Sequence, residues 1–316
     1  METSKAIEGF LLDRQAGGYS RGTVRLYRLC LGMLCDYLGD PPVGEVDLED
    51  LQRFLYYLQT SYVPRRLGKD PDKSPLSPAA VSNHWKAIRS FFSWCEEALG
   101  LKRPDLRLVH PPKKDPEILP FTENDIRKLL KACEKTTEAS TDRRTPYTMK
   151  RPTADRDKAL LLLFLDTGLR VSEVCRLRIE DLNQETGEIL VAPFGSGQKT
   201  KPRMAYLGRV AMRAMWLYLA KRPNTVKKDK LFEIDAETIR SLFRRLGERA
   251  GVNDVHPHRL RHTFAITYLR NGGDVYSLKY LLGHSSLDMV ERYLHITEAD
   301  ASNAHRKASP ADNWRL

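Results

Sequence analysis

The chain has 316 residues, 41% hydrophobic and 29% charged, the balance of a soluble globular protein with room for two domains and sizeable cores. No apolar run approaches the roughly 18 residues of a membrane span, the longest being Ala159 to Leu165, and the polar N-terminus shows no secretory leader. Five scattered cysteines (Cys30, Cys35, Cys95, Cys133, Cys175) with no CxxC pair exclude a disulfide or zinc framework, and a net charge of +11 asks for a polyanionic partner, nucleic acid first. The charge is uneven: residues 1–119 carry 17 Lys+Arg against 16 Asp+Glu, residues 120–316 carry 35 against 25. No internal repeat or low-complexity segment is present.

Residues 4–15 read as a short helix. Ser20 caps a longer one, with Val24, Tyr27, Leu31, Leu34 and Leu38 on one face, stopped by Gly39 and Pro41-Pro42. Asp47 caps the next. Residues 64–77 are rich in Pro, Lys, Asp and Gly and read as a loop. Ser77-Pro78 then starts a helix to about Leu99, with Trp85, Ile88, Phe92, Cys95 and Leu99 as its apolar stripe. Lys86 and Arg89 lie off that stripe, as either a solvated face or a DNA-facing one would have them. These helices predict an all-helical domain over 1–103. Residues 104–120 hold Pro104, Pro111, Pro112, Pro116 and Pro120 around Lys113-Lys114, which predicts a semi-extended basic linker.

A second domain is expected over 121–316. Thr122 with Asp125 opens a helix, and 137–153 reads as a polar insertion loop. Ala154–Asp166 is an apolar helix ending at Thr167-Gly168, and Ser172 is expected to cap the helix SEVCRLR. Residues 187–193 and 202–207 read as two strands of a hairpin tipped by GSGQKTK. Helices follow at 209–221, 236–249, 258–271, roughly 275–282 and roughly 287–294. The fold class is mainly α with a small β-sheet.

Five places in this half could carry chemistry. Arg170 follows a glycine turn and precedes a helix, where anions bind, although pairing with Glu173 would serve structure alone. Lys199 sits on the hairpin tip beside Lys201, able to reach a leaving oxygen or merely to keep the tip soluble. His258 and Arg261 are three apart and share a helix face, a pairing suited to phosphate. His258 and His262 have the spacing of a metal pair, but Arg259 stands where zinc proteases carry Glu, and HRLRH would repel a cation. His256 has no evident role. His284 lies in LLGHSS. Tyr293, in ERYLH, looks like ordinary core unless its oxygen meets a phosphate neutralised by the arginines.

TGLRVSEV, a lysine on a β-hairpin, HxxR at His258 and Arg261, LLGH, and a tyrosine nine residues on together resemble the tyrosine recombinase (phage integrase) family over about residues 4–300. The resemblance implies a SAM-like helical core-binding domain and an α+β catalytic domain, closing as a clamp on double-stranded DNA. It implies that Tyr293 attacks the scissile phosphate to give a 3′-phosphotyrosine and a free 5′-hydroxyl. Arg170 and Arg261 would clamp the phosphate, His284 hydrogen-bond it, Lys199 (or Lys201) protonate the leaving oxygen, and His258 move the tyrosine's proton. Neither metal nor ATP nor any other cofactor is needed in such a scheme. Lys86, Arg89, Lys113, Lys114 and Lys201 would touch DNA. A homo-tetramer on paired sites is implied, with residues after about Thr297 docking into a neighbour, and accessory DNA-bending or directionality proteins fit the scheme. The expected place is the cytoplasm, at the nucleoid. Chromosome-resolving relatives carry lysine between the hairpin glycines, where this chain has Ser196, which favours an integrase or transposase of a mobile element over a dimer resolvase. A type IB topoisomerase, a non-catalytic DNA-binding regulator and a metal-dependent nuclease, for which the carboxylates are lacking, are the remaining alternatives.

Overall fold

A computed structural model of the chain describes residues 1–64, 74–102, 104–105, 119–136, 139–141, 144–193, 202–222 and 224–284, and the single positions 287, 290, 293 and 309. It divides into two compact units, Met1–Pro116 and Glu117–Leu316.

The first unit is helical among its described residues: α1 (Thr3–Ala16), α2 (Arg21–Leu38), α3 (Leu48–Thr60) and α4 (Pro78–Leu99). Local chemistry sets the starts. Ser20 Oγ accepts from the Thr23 amide at 3.1 Å, Asp47 and Asp50 bond each other's amides reciprocally, and Ser77 caps α4 with Pro78 in its first turn. Phe10, Leu31, Leu34, Phe54, Leu58 and Phe91 form the core, with Phe10 edge-on to Phe91 at 5.7 Å. Of the stripe expected on α4, Ile88, Phe92 and Cys95 are buried, Trp85 is half-buried and Leu99 is exposed at the helix end; the buried row also takes in Val81, His84 and Phe91. Steps of three and four residues keep that row on one side, and Lys86 and Arg89 face solvent opposite it.

The second unit begins with α5 (Glu123–Glu134), opened by reciprocal bonds between Thr122 and Asp125. A two-stranded antiparallel ribbon follows, β1 (Ala139–Thr141) with β2 (Arg144–Tyr147), inside the stretch expected to be a loop. Its segments AST and RTPY lack the apolar alternation that marks a strand in sequence. Helix α6 (Ala154–Thr167) is buried along most of its length and lies against α8 (Arg209–Leu219) and α10 (Pro257–Arg270). Helix α7 (Val171–Val174) is shorter than the sequence suggests. Its cap is Arg170, whose amide donates to Glu173 at 2.7 Å, so Ser172 lies within the helix rather than at its start. Strands β3 (Glu188–Val191) and β4 (Arg203–Tyr206) pair antiparallel, Ile189 opposite Ala205. Helices α9 (Ala236–Ala250) and α11 (Val275–Leu282) complete the described elements.

One core joins α5, α6, α8, α9 and both strands of the β3–β4 hairpin. A smaller one gathers Phe264, Ile266, Leu278, Leu282, Val290 and Tyr293. Most of the helix expected near 287–294, the tail beyond it, and Lys113, Lys114, Lys199 and Lys201 lie outside the described residues.

Candidate active site

Two glycine turns bring the site together. Gly168, at φ +60°, ends α6, and a Cβ there would stand 2.4 Å from Phe264. That turn aims the Gly168 carbonyl at Arg261, whose Nη1 donates to it at 2.6 Å. Gly283, at φ +63°, ends α11, where a Cβ would meet the Arg203 guanidinium at 2.9 Å. Only glycine takes both the left-handed backbone and this proximity without strain.

Around these turns three arginines converge on the end of α11. Arg170 donates to the carbonyls of Leu282 (3.3 Å) and Gly283 (3.4 Å), Arg261 to Leu282 (2.7 Å), and Arg203 to Leu281 (2.9 Å). A helix C-terminus is a favourable place for them, because its carbonyls carry partial negative charge. Glu173 is the carboxylate among them. It accepts from Arg203 Nη1 and Nη2, each at 2.9 Å, and from Arg170 Nη1 at 3.3 Å. Burial pushes its carboxyl up, but the hydrogen bonds and charge of Arg203 and Arg170 prevail and hold it below the usual range. The expected pairing of Arg170 with Glu173 is therefore present, together with a second arginine that local spacing does not reveal. Arg203 lies 30 residues away and is 4% exposed.

Arg261 is 3% exposed, and burial followed by the charge of Arg170 brings its pKa down to about 9, so it stays cationic at neutral pH. Its Nη2 also lies 2.8 Å from His284 Nε2. A guanidinium only donates, so Nε2 accepts and the proton of the neutral ring sits on Nδ1. Burial and then Arg261, Arg170 and Arg203 depress His284 to about 3, which keeps the ring neutral. Its Nδ1–H is buried and has no acceptor among the described residues.

Three histidines share the start of α10. His256 caps the helix, its Nδ1 accepting from the Arg259 amide at 3.1 Å, a role that supplies what the sequence leaves unassigned. His258 lies edge-on to His262, ring centres 4.2 Å apart, as the i, i+4 spacing dictates. Burial and then Arg261 lower its pKa. His262 Nδ1 lies 2.8 Å from Tyr293 Oη. The resemblance gives the tyrosine's proton to His258; His262, one turn later on α10, makes this hydrogen bond. Tyr293 is 3% exposed, so its ring is fixed in the smaller core while its oxygen is engaged by an imidazole. Among the described residues no three His, Cys, Asp or Glu side chains gather into a metal site. The structure thus brings Arg170, Arg261 and His284 to one place and sets Tyr293 against the same helix that carries Arg261 and His258. Lys86 and Arg89 are exposed on the first unit, Arg89 lying 5.4 Å from the Trp85 ring.

Comparison with known proteins follows the same outline. The sequence profile of the phage integrase family matches residues 120–300. Tyrosine recombinase XerA of Saccharolobus solfataricus is 27% identical over 307 residues, 97% of this chain and 94% of its own. Tyrosine recombinase XerC of Bacillus subtilis is 31% identical over 253 residues, 74% of this chain and 76% of its own. Among solved structures, the Tn1549 transposon integrase in complex with transposon right end DNA aligns with a TM-score of 0.70 over 98% of this chain and 100% of that one, at 20% identity. A lambda integrase dimer bound to a core site aligns with a TM-score of 0.67 over 93% and 95%, at 14% identity, which shows a shared fold. The chain belongs to the phage integrase family and so is a tyrosine recombinase, an enzyme that cleaves and rejoins DNA.

Proposed function

We propose that Tyr293 attacks a DNA phosphodiester while Arg170 and Arg261 hold its oxygens and His284 donates to one of them. The observation that carries this reading is the His284 Nδ1–H, a buried donor without an acceptor among the described residues, set beside three arginines and one carboxylate. An unmade hydrogen bond of this kind costs on the order of 1–3 kcal/mol, which a phosphate oxygen at that position would recover. Arg170, with its side chain 34% exposed, is the outer member of the clamp and Arg261 the inner one. Their fixed charge stabilises the pentacoordinate phosphorane as it forms, because the donors are already oriented. A lysine on the hairpin tip, Lys199 or else Lys201, would protonate the leaving 5′-oxygen. The protein–DNA bond keeps the phosphodiester energy, so rejoining needs no ATP, and the guanidinium clamp supplies the charge that a metal would otherwise give.

The test needs no knowledge of the target. A pool of randomised duplexes carrying a single nick is incubated with the protein in EDTA, and covalent adducts are recovered under denaturing conditions and sequenced. The wild-type chain is expected to give adducts enriched in one site, and Tyr293→Phe none. Adducts persisting in Tyr293→Phe, or lost with chelator alone, would overturn the assignment.

The partner is double-stranded DNA, gripped largely through phosphates, with Lys86 and Arg89 on α4 and Lys113 and Lys114 among the contacts. Four protomers would meet on two sites, exchanging their C-terminal segments, with a bending or directionality protein in attendance. No described helix is long and apolar enough to cross a membrane, and the nucleoid is the workplace such chemistry requires. Two biological roles remain in play. Ser196 between the hairpin glycines favours a mobile-element integrase or transposase, whereas the names of the XerA and XerC relatives favour a dimer resolvase. Captured sites lying at the ends of a mobile element would select the first, and a single chromosomal site the second.

A further inference from the structure

We propose that His262 is a catalytic residue, the group that takes the phenolic proton of Tyr293 as its oxygen attacks phosphorus. This inference rests on the nucleophilic role assigned to Tyr293 above. Its ground is geometric. His262 Nδ1 is 2.8 Å from Tyr293 Oη, within reach for direct proton transfer. The other two histidines of the site are arranged differently. His284 has its Nε2 taken by Arg261 and its ring proton on Nδ1, so it has no lone pair to offer. His258 lies edge-on to His262, ring centres 4.2 Å apart, and the hydrogen bond to the phenol is made by His262.

Both partners of the contact are held. His262 lies on α10 between Leu260, Arg261 and Thr263 to Ile266, all buried, so the backbone beneath the imidazole has little freedom. Tyr293 is fixed by the smaller core. The contact joins an α10 side chain to one 31 residues later, which local spacing does not disclose.

The step balances. The Tyr293 Oη–P bond forms and the P–O5′ bond breaks. The phenolic proton passes to His262 Nδ1, giving an imidazolium whose other nitrogen carried the original ring proton. The departing 5′-oxygen takes its proton from the hairpin lysine. In rejoining, the 5′-hydroxyl returns its proton to that lysine, attacks phosphorus and expels the phenolate oxygen, to which His262 gives the proton back.

The surroundings make the transfer depend on substrate. A free phenol holds its proton more tightly than a free imidazolium does, so contact alone does not drive the transfer. Arg261 precedes His262 on α10, His258 lies edge-on to it, and Arg170 and Arg203 join Arg261 at the end of α11 with Glu173 as the carboxylate among them, so a positive imidazole would form beside a cationic cluster. A phosphodiester on the arginines cancels part of that field. Bond formation to phosphorus then lowers the basicity of the phenolic oxygen, so the proton moves downhill during attack and not before.

The experiment uses the full chain and the nicked duplex captured above, with single-turnover formation of the adduct followed from pH 6 to pH 9. His262→Ala is expected to bind the duplex as the wild type does and form the same adduct roughly 100-fold more slowly at pH 7, the scale of general-base catalysis. Its rate should climb with pH without levelling, and added imidazole should restore tenfold or more. His262→Asn keeps a hydrogen-bonding group without a basic one and should stay slow; it decides the matter if His262→Ala does not fold. Wild-type speed in His262→Asn, or a slow His262→Ala that neither imidazole nor high pH recovers, would overturn the proposal. Loss of the adduct in Tyr293→Phe is read separately, so failure of the nucleophile assignment is distinct from failure of this one.

Discussion

Glu173 sits with Arg203 on two hydrogen bonds of 2.9 Å and with Arg170 on a third, all but sealed from water. Breaking a buried pair of this kind by removing one partner costs about 3–5 kcal/mol, because the other charge is left stranded. The same cluster governs how the protein responds to acid. His284 is depressed to about 3, far below its ordinary value near 6.5, and His258 is lowered too. Between those values the unfolded chain binds protons that the folded site refuses, so stability falls as pH drops from about 6.5 toward 3. Glu173, held low, adds its loss at the bottom of that range, as pH falls through its folded value. By linkage His284 alone should contribute roughly 1 kcal/mol of lost stability between pH 7.5 and 5.5. Calorimetry at the two pH values should show a lower Tm at 5.5, and His284→Asn should flatten the difference; an unchanged slope in the variant would contradict it. At this scale sequence is uneven as a guide. Arg170, His258, Arg261, His284 and Tyr293 stand in local motifs whose spacing is visible. Arg203 and the contact of His262 with Tyr293 are set across 30 or more residues, which spacing within one helix does not encode.

Turns decide where those side chains arrive. Gly168→Ala would force a Cβ into the left-handed region and into the Phe264 ring at 2.4 Å. Backbone strain and overpacking together should cost on the order of 2–4 kcal/mol. The Gly168 carbonyl would also leave Arg261, so single-turnover cleavage should fall further than Tm alone explains. A variant with unaltered Tm would show that the turn tolerates a side chain. Most helices were legible because caps and apolar periodicity agree, as at Ser20, Asp47, Ser77 and Thr122. The β1–β2 ribbon was not, because its strands are polar and too short for alternation to register. Helix α7 starts one residue earlier than expected, at the Arg170 cap, and stops after one turn, before the 3₁₀ turn Ile179–Asp181.

The two units have separate cores, and the larger share of the +11 net charge resides in the second half of the sequence. A fragment spanning 117–316 should therefore fold cooperatively alone and keep most of the salt dependence of DNA binding, since that slope counts the phosphates neutralised. It should bind more weakly than the whole chain at every salt concentration. Measured log K against log salt for both proteins decides this; a fragment with a slope less than half that of the whole chain would place the electrostatic grip in the first unit instead.

The entry of the chain into the second unit is clipped to α10 at three points. Arg259 Nε donates to the Leu119 carbonyl at 2.9 Å, its guanidinium lies 4.0 Å from the Phe121 ring, and the Phe121 amide donates to Thr263 Oγ1 at 2.9 Å. Arg259 and Thr263 bracket Arg261 and His262. A tug on the polypeptide upstream of Leu119 is thus borne by the one turn of helix that holds the inner arginine and the tyrosine's partner. Any such load would meet the chemistry in the same five residues, 259–263.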